Sequence, residues 1–318
     1  MLKGIDMKRH LHTIVSPVYN SKETLELLVS SVSKAMNGSG IHFELVLVDD
    51  GSEDGSFEEI QRLSKLHPFI RGFRLSRNFG HQAALVIGLE KSKGEFIAII
   101  DDDLQDPPQL LPTFFQRLYE DAEVVYGIRR KRKESFVKRS LYALFYRVLR
   151  KMSEVEIPLD AGDFCVMRRC VVDAMIQFRE ANPFLRGIRS WVGFRQVGLE
   201  YTRDARHQGE SGYTFGKYFR LAVVGIISFS YIPLRMATFL GMVTALMGFV
   251  FAGIVILRWL FGAVEVSGYA SLIVVITLLG GVQLISIGVI GEYLARLSDN
   301  VRKPLTAVVA ESTADDSP

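Results

Sequence analysis

Two cysteines, Cys165 and Cys170, are too few for a disulfide framework, and no second pair completes a zinc pattern at that spacing. They read as small buried thiols in a reducing compartment. The opening segment MLKGIDMKRHLH lacks the apolar run of a secretory signal, so everything up to about residue 230 is expected to stay in the cytoplasm. Neither G-x-G-x-x-G nor G-x-x-x-x-G-K-[ST] occurs, which excludes a dinucleotide fingerprint and a P-loop as the means of holding phosphates. A strong net charge is missing too. With 38 Lys and Arg against 35 Asp and Glu the balance is +3, which argues against a uniformly basic nucleic-acid binder. Most unevenly, the 56 residues 236–291 hold only two charges, Arg258 and Glu265.

Of the 318 residues 48% are apolar, enough for a sizeable core. Residues 236–257 and 266–291 are uncharged runs of 22 and 26, each beyond the ~20 residues that cross a bilayer as a helix. Lys217, Arg220 and Arg235 precede the first run, and Arg296, Arg302 and Lys303 follow the second. Both flanks are therefore expected on the cytoplasmic side of a two-helix hairpin. Residues 221–232 are apolar but too short to span, which suits a helix lying at the interface. The small pairs Gly241/Ala245 and Gly248/Ala252 allow close helix approach, either within the hairpin or in a homo-oligomer. The expected organisation is a cytoplasmic α/β domain over 1–216, a juxtamembrane amphipathic region over 217–235, the transmembrane hairpin over 236–291 and a cytoplasmic segment over 292–318. The acidic tail after Ala310 (Glu311, Asp315, Asp316) is expected to be disordered.

Over the first 230 residues, strand-like and helix-like segments alternate. Strands are predicted over 12–16, 43–48, 70–75, 95–100 and 123–127, and helices over 23–36, 57–66, 82–89 and 109–119. That order implies a mainly parallel sheet with helices on both faces, whose ligands bind at the carboxyl ends of the strands. Three strand ends carry unusual turns: Ser16 to Asn20 (SPVYN), Asp49 to Ser52 (DDGS) and Asp101 to Gln105 (DDDLQ). Consecutive carboxylates repel, so the last turn is either a solvated acidic cap for a helix starting near Pro107 or a cation site. In an extended segment Asp101 and Asp103 point the same way, and their hard oxygens suit Mg²⁺ or Mn²⁺ carrying a substrate diphosphate. A calcium loop beginning at Asp50 fails, because Gln61 stands where Glu is required and a strand precedes it. Next, residues 129–151 hold ten Lys or Arg and one acid, Glu134. A solvated helix face and attraction to anionic lipid headgroups are two readings. The position directly after the fifth strand adds a third, a second phosphate facing the guanidinium groups.

In order and at these spacings, SPVYN (16–20), VDDGS (48–52), RNFGHQAAL (77–85), DDDLQDPP (101–108) and YGIRRKR (126–132) resemble the family 2 glycosyltransferases of the GT-A fold. The likeness extends from about Thr13 to Pro304 and is specifically to the polyprenyl-phosphate glycosyltransferases, of the bactoprenol glucosyltransferase and dolichol-phosphate mannose synthase kind. It implies a Rossmann-like GT-A domain followed by an interfacial helix and two transmembrane helices. By motif, Pro17, Tyr19 and Asp50 are implied to frame the nucleotide. Asp101, Asp103 and Gln105 are implied to hold the metal and donor diphosphate, with Asp102 beside them and Asp103 the central catalytic carboxylate. Arg129 and Arg139 are implied to meet the lipid phosphate. Later segments, DAGDF (160–164), FLRGIRSWVGF (184–194) and RHQGESGY (206–213), resemble the acceptor-side and closing segments of the bacterial members, with Arg206 and Ser211 as phosphate contacts. Asp160 and Asp163 are orienting or basic carboxylates, or else a helix cap and an ion pair with Arg168. Ser21 departs from the Glu frequent in the family, and Gly212 from a common Lys.

The chemistry agrees. A phosphate monoester, with a second pKa of about 6, can attack the sugar C1 without a strong general base. The reaction needs alignment of two anions and neutralisation of the leaving nucleoside diphosphate, and a single displacement inverts C1. The expected activity is transfer of a hexose, glucose from UDP-glucose, to undecaprenyl phosphate at the bacterial inner (plasma) membrane, by a multi-pass protein with its catalytic domain in the cytoplasm. GDP-mannose or a modified UDP-sugar are alternative donors. A processive synthase would want a clear Q-x-x-R-W, approached only at 186–191. From other classes, a metal-dependent phosphatase would need Thr or Val at Gln105, and a non-catalytic lipid-binding scaffold stays open.

Overall fold

The structure, a computed structural model, describes residues 9–129, 161–178, 183–202, 232–261, 268–302 and 307–313. The chain divides into an α/β unit (Met1–Arg147, Val155–Gly212, Lys303–Pro318) and a helical unit (Val148–Glu154, Tyr213–Arg302).

In the α/β unit the first strands are continuous apolar runs because both of their faces are covered. β1 (His12–Val18) and β2 (Phe43–Asp49) are buried at every residue, as expected for central parallel strands. Helix α1 (Lys22–Gly38) buries Leu25, Leu28, Val29, Val32 and Met36, one stripe at helical spacing. α2 (Ser56–Leu66) carries Glu58 and Glu59 in its first turn and Lys65 in its last, matching the helix dipole. β3 (Ile70–Leu75) follows, then α3 (His81–Lys91), β4 (Phe96–Ile99), a short 3₁₀ turn at Pro108–Leu110 and α4 (Leu111–Asp121). The remaining elements are β5 (Val124–Arg129), β6 (Ala161–Arg168), α5 (Arg169–Ile176), α6 (Leu185–Trp191), β7 (Gln196–Tyr201) and β8 (Val309–Ser312).

The eight strands form one sheet in the order β7-β5-β6-β4-β1-β2-β3-β8. Pairings β1/β2, β1/β4, β2/β3 and β5/β7 are parallel, while β6 is antiparallel to both β4 and β5, and β8 to β3. Alternate strand residues feed two cores. Ile14, Val18, Leu45 and Leu47 pack with α1, α2 and α4, and Val15, Val46 and Val48 pack with α3, α5 and α6. α3 lies so close to the sheet that a Cβ on Gly88 would stand 2.2 Å from a Val15 methyl.

Two expectations change. The turn read at Ser16 to Asn20 begins only at Tyr19: Ser16, Pro17 and Val18 pair with Leu47, Val48 and Asp49 inside β1. Pro17 is tolerated there because pairing with β4 stops at Val15, so its missing N–H has no ladder partner to lose. Of the tail expected to be disordered after Ala310, Glu311 and Ser312 instead belong to β8, opposite Arg74 and Phe73, while Asp315 and Asp316 lie outside the described residues.

In the helical unit, α7 (Ile232–Leu260) outruns its predicted span at both ends, whereas α8 (Tyr269–Arg302) begins inside its predicted span and runs past its end. Residues 232–235, assigned above to the juxtamembrane region, form the first turn of α7, and Arg258 lies in its last turn. Among the described residues one helix is long and apolar enough to cross a membrane, through Leu278–Ala295 of α8, and the apolar stretch of α7 at Ala237–Phe251 is shorter. Among the described residues, a Cβ added to Gly241 or Gly248 would meet nothing within 4 Å.

His12 shows what the core demands of a polar group. Fully buried, it donates from Nδ1 to the His10 and His42 carbonyls at 3.0 and 3.2 Å and accepts at Nε2 from the Tyr119 hydroxyl at 2.9 Å. Burial lowers its pKa to about 4, against 6.5 when unperturbed. The folded state therefore binds this proton less readily than the unfolded chain. The stabilisation is full above pH 6.5 and is lost as pH falls towards 4. Thermal unfolding between pH 7 and 4 is expected to lose up to about 3 kcal/mol from this group, and His12→Gln is expected to flatten that dependence.

Candidate active site

The parallel strands β1, β2 and β4 deliver their carboxyl ends to one edge, and the reversed β6 delivers its amino end there. β5 runs in the same direction as β4, since β6 opposes both. The turns at Tyr19, Asp49 to Ser52 and Asp101 to Gln105 thus meet, joined by Asp163 and by the backbone of Arg129 at the end of β5.

The first two turns are fastened together. Ser52 Oγ accepts from the Asn20 N–H at 2.9 Å, and Asn20, at φ +51°, accepts at Oδ1 from the Glu53 N–H at 3.2 Å. Gly51, at φ +69°, lies against the next loop, where a Cβ would be 2.6 Å from the Arg77 carbonyl carbon. Asp50 was expected to frame the nucleotide. Its two carboxylate oxygens accept from the Phe79 and Gly80 N–H groups at 2.7 and 2.9 Å, clamping the loop that opens α3. Burial raises its pKa, against the pull of those N–H groups. Pro17 is buried in β1, whereas Tyr19 is 51% exposed.

The acidic turn does not keep the alternation of an extended strand. β4 ends at Ile99, and Leu104 takes φ +57° with its side chain buried in the core, a strained position for a branched residue. Each carboxylate consequently meets a different surrounding. Asp101 faces His81 Nε2 at 3.6 Å. Asp102 accepts from the Tyr19 N–H at 3.4 Å, and Asp103 accepts from the Gln105 N–H at 3.1 Å. Burial, together with the charges of Asp163, Asp106 and Asp103, pushes the Asp101 pKa up to about 6 although His81 pulls against it. Burial also raises Asp102. Asp106, fully buried, accepts from the Tyr201 hydroxyl at 2.5 Å. That reach depends on Gly127, where a Cβ would stand 2.5 Å from the Tyr201 ring.

Asp163 is the counterweight. Arg186 donates to it from Nε at 2.8 Å and from Nη2 at 3.1 Å, Gln82 Nε2 lies at 3.4 Å and His81 Nε2 at 3.7 Å. Burial alone would raise its pKa, but His81 and Arg186 outweigh burial and hold it well below the usual carboxylate range. Asp163 is thus a buried carboxylate held in its ionised form by two cationic neighbours. The alternative ion pair with Arg168 does not form, because Arg168 donates to the Ala122 and Leu118 carbonyls. Conversely, burial depresses His81, but the Asp163 hydrogen bond and the charges of Asp101 and Asp163 raise it overall. His81, Gln82 and Arg186 were not singled out from the sequence, although all three lie inside the quoted motifs. The non-local pairing of β6 is what brings them together, with the Leu185 N–H donating to Gln82 Oε1 at 3.0 Å.

Among the described residues no three His, Cys, Asp or Glu side chains close around one point, so Asp101, Asp103 and Gln105 do not form a ready-made metal cage. The donor set still fits a hard divalent cation. It offers carboxylate oxygens in which burial and like charge disfavour ionisation of Asp101. Arg139, Asp160, Arg206 and Ser211 lie outside the described residues, as does most of the basic stretch.

Residues 13–175 match the family described as Glycosyl transferase family 2. The chain belongs to that family. The transferase is 41% identical over 305 residues to the glycosyltransferase YkcC of Bacillus subtilis (strain 168), covering 95% of this chain and 94% of that protein. It is 36% identical over 286 residues to the bactoprenol glucosyl transferase of Shigella phage SfV, covering 90% and 93%. Among solved structures, glucosyl-3-phosphoglycerate synthase from Mycobacterium tuberculosis in complex with Mn2+ and UDP-Glc is similar over 69% of this chain and 78% of that one, at 20% identity and a TM-score of 0.45. The α/β unit is the GT-A domain of a glycosyltransferase, and the phosphatase and scaffold readings give way. For the transferase, Arg186→Ala is expected to leave Asp163 buried with less of its countercharge. The cost in thermal unfolding is about 2 kcal/mol, below that of a fully buried pair because Arg186 is part-exposed.

Proposed function

We propose that the transferase moves a hexose, glucose from UDP-glucose, to the phosphate of a polyprenyl carrier with inversion at C1. The observation that carries this reading is the crowd of carboxylates at the carboxyl end of β4, faced by His81 and bordered by the exposed Tyr19. Identity of 35–36% over 90–94% of the chain to bactoprenol glucosyl transferases supports the acceptor and the sugar. The apolar helices α7 and α8 support a membrane location, as a spanning pair in a bacterial plasma membrane with the catalytic unit in the cytoplasm.

Each residue has a stated part. Asp101 and Asp103, with Gln105 beside them, would hold Mg²⁺ or Mn²⁺, which when bound supplies charge neutralisation for the leaving nucleoside diphosphate. Asp102 fixes the Tyr19 backbone, so that the exposed ring is presented to the nucleotide. Asp50 keeps the neighbouring loop in place from below. Asp163 and Arg186 orient His81, whose ring N–H donates towards phosphate oxygens. Arg129 and Arg139 take the acceptor phosphate, which attacks C1 in its anionic form, and Arg206 and Ser211 add phosphate contacts. Asp160 orients the acceptor. The small residues along α7 serve association between copies.

Purified protein given labelled UDP-glucose, undecaprenyl phosphate and Mg²⁺ or Mn²⁺ is expected to yield a labelled lipid. Asp103→Asn is expected to lower kcat by about 100-fold or more with folding unchanged. Full activity of Asp103→Asn, or no labelled lipid with UDP-glucose, GDP-mannose or other UDP-sugars, would overturn the reading.

A further inference from the structure

We infer that the C-terminal strand β8 is a strap that positions the nucleotide-facing turn through Arg74. The inference rests on the donor-site reading of that turn. β8 adds antiparallel to the edge strand β3, pairing Glu311 with Arg74 and Val309 with Leu75 across a register shift. The Val308 carbonyl accepts from the Ser76 N–H at 2.9 Å. Thr313 closes the other end, its Oγ1 accepting from the Gly72 N–H at 2.8 Å and its own N–H donating to the Gly72 carbonyl at 2.9 Å. An edge cover needs no more than this. The side chains do more.

Glu311 Oε1 accepts from Arg74 Nη1 at 3.2 Å. The other side of the same guanidinium faces the active-site edge: Nη2 donates to the Ser52 carbonyl at 3.4 Å and Nε lies 3.6 Å from Asp49 Oδ2, with the group over the Phe57 ring. Asp49 is fully buried and accepts from the Ser52 N–H. Burial raises its pKa, while Ser52 and the Arg74 charge hold it down. Ser52 in turn accepts from the Asn20 N–H, next to Tyr19. An unbroken sequence of contacts therefore runs from Glu311 through Arg74 to Asp49 and Ser52, and on to the turn at Tyr19 and Asn20. With Glu311 gone, a long side chain that fixes a buried carboxylate and a turn carbonyl has lost the partner that holds its far side. Arg74 and Glu311 are positioning residues, acting on a substrate through the turn.

The test uses the full-length protein in lipid vesicles, with variants Glu311→Ala, Glu311→Asp and a deletion of residues 309–318. The readouts are donor and acceptor KM, kcat, thermal unfolding and amide hydrogen exchange at Gly51, Ser52 and Glu53. The deletion is expected to raise the UDP-glucose KM about ten-fold and Glu311→Ala about three-fold, the scale of one cross-strand charge pair. Acceptor KM and kcat stay within about two-fold, since those steps do not touch this turn. Glu311→Asp restores most of the effect, and exchange at Ser52 quickens in the deletion. An unchanged donor KM together with unchanged exchange at Ser52 would overturn the inference. So would a parallel fall of every kinetic constant with the unfolding temperature, which marks β8 as an edge cover alone. If the wild-type protein transfers no sugar, the proposed reaction falls, and the exchange comparison by itself then decides whether the strap holds the turn.

Discussion

Carboxylates crowded where a buried strand reaches the surface are the constraint to which the rest of the α/β unit answers. Asp101, Asp102, Asp103 and Asp106 lie within six consecutive positions, and like charges taken out of water are costly unless matched. The fold matches them locally. Tyr201 satisfies Asp106, the Tyr19 and Gln105 N–H groups satisfy Asp102 and Asp103, and His81 stands against Asp101. What is left over is a site whose own charge favours a cation and whose borders offer N–H donors. That is the combination needed to handle a diphosphate leaving group.

The same requirement explains why the turns at this edge are bound to one another rather than to their own strands. Asp50 fastens the loop after β3, Ser52 fastens the turn after β1, and Arg186 and Gln82 tie β6 and α6 to the start of α3. Each tie uses a side chain from one element and, in most cases, a backbone group from another, which fixes position more tightly than two mobile side chains would. Arg74 extends the pattern to the far edge of the sheet, where a strand contributed after the apolar helices takes part in the support of the turn following β2.

Much of this was legible without coordinates. The apolar runs at 12–16, 43–48 and 70–75 fall within strands, and the helical stripe beginning at Leu25 became α1, because burial on one side or both leaves its period in the sequence. The acidic turn was found because three adjacent carboxylates repel one another and need solvent or a cation to be tolerated. By contrast, Pro17 lies inside β1 rather than in the turn, and the hydrogen bonds of Asp50 to the Phe79 and Gly80 N–H groups were not foreseen. Strand ends depend on where a neighbour stops pairing, and a carboxylate's partner depends on which loop lies across from it. The tail was read as disordered from its acidity, but its first two residues, Glu311 and Ser312, complete a four-residue strand, which suffices when an edge is waiting for it.

Local order was therefore determined by the sequence itself: alternation of strand and helix, two apolar helices, and an acidic turn at a strand end, each set by the burial and charge of neighbouring residues. Only the tertiary structure decided that β6 runs against β4 and β5 to place Asp163 beside His81, that Asp101 and Asp103 turn to different partners, and that Glu311 meets Arg74 across 237 residues of chain. The physical reason is that hydrogen-bond register and charge pairing join segments far apart in the chain. No short-range pattern records which distant partner will lie opposite.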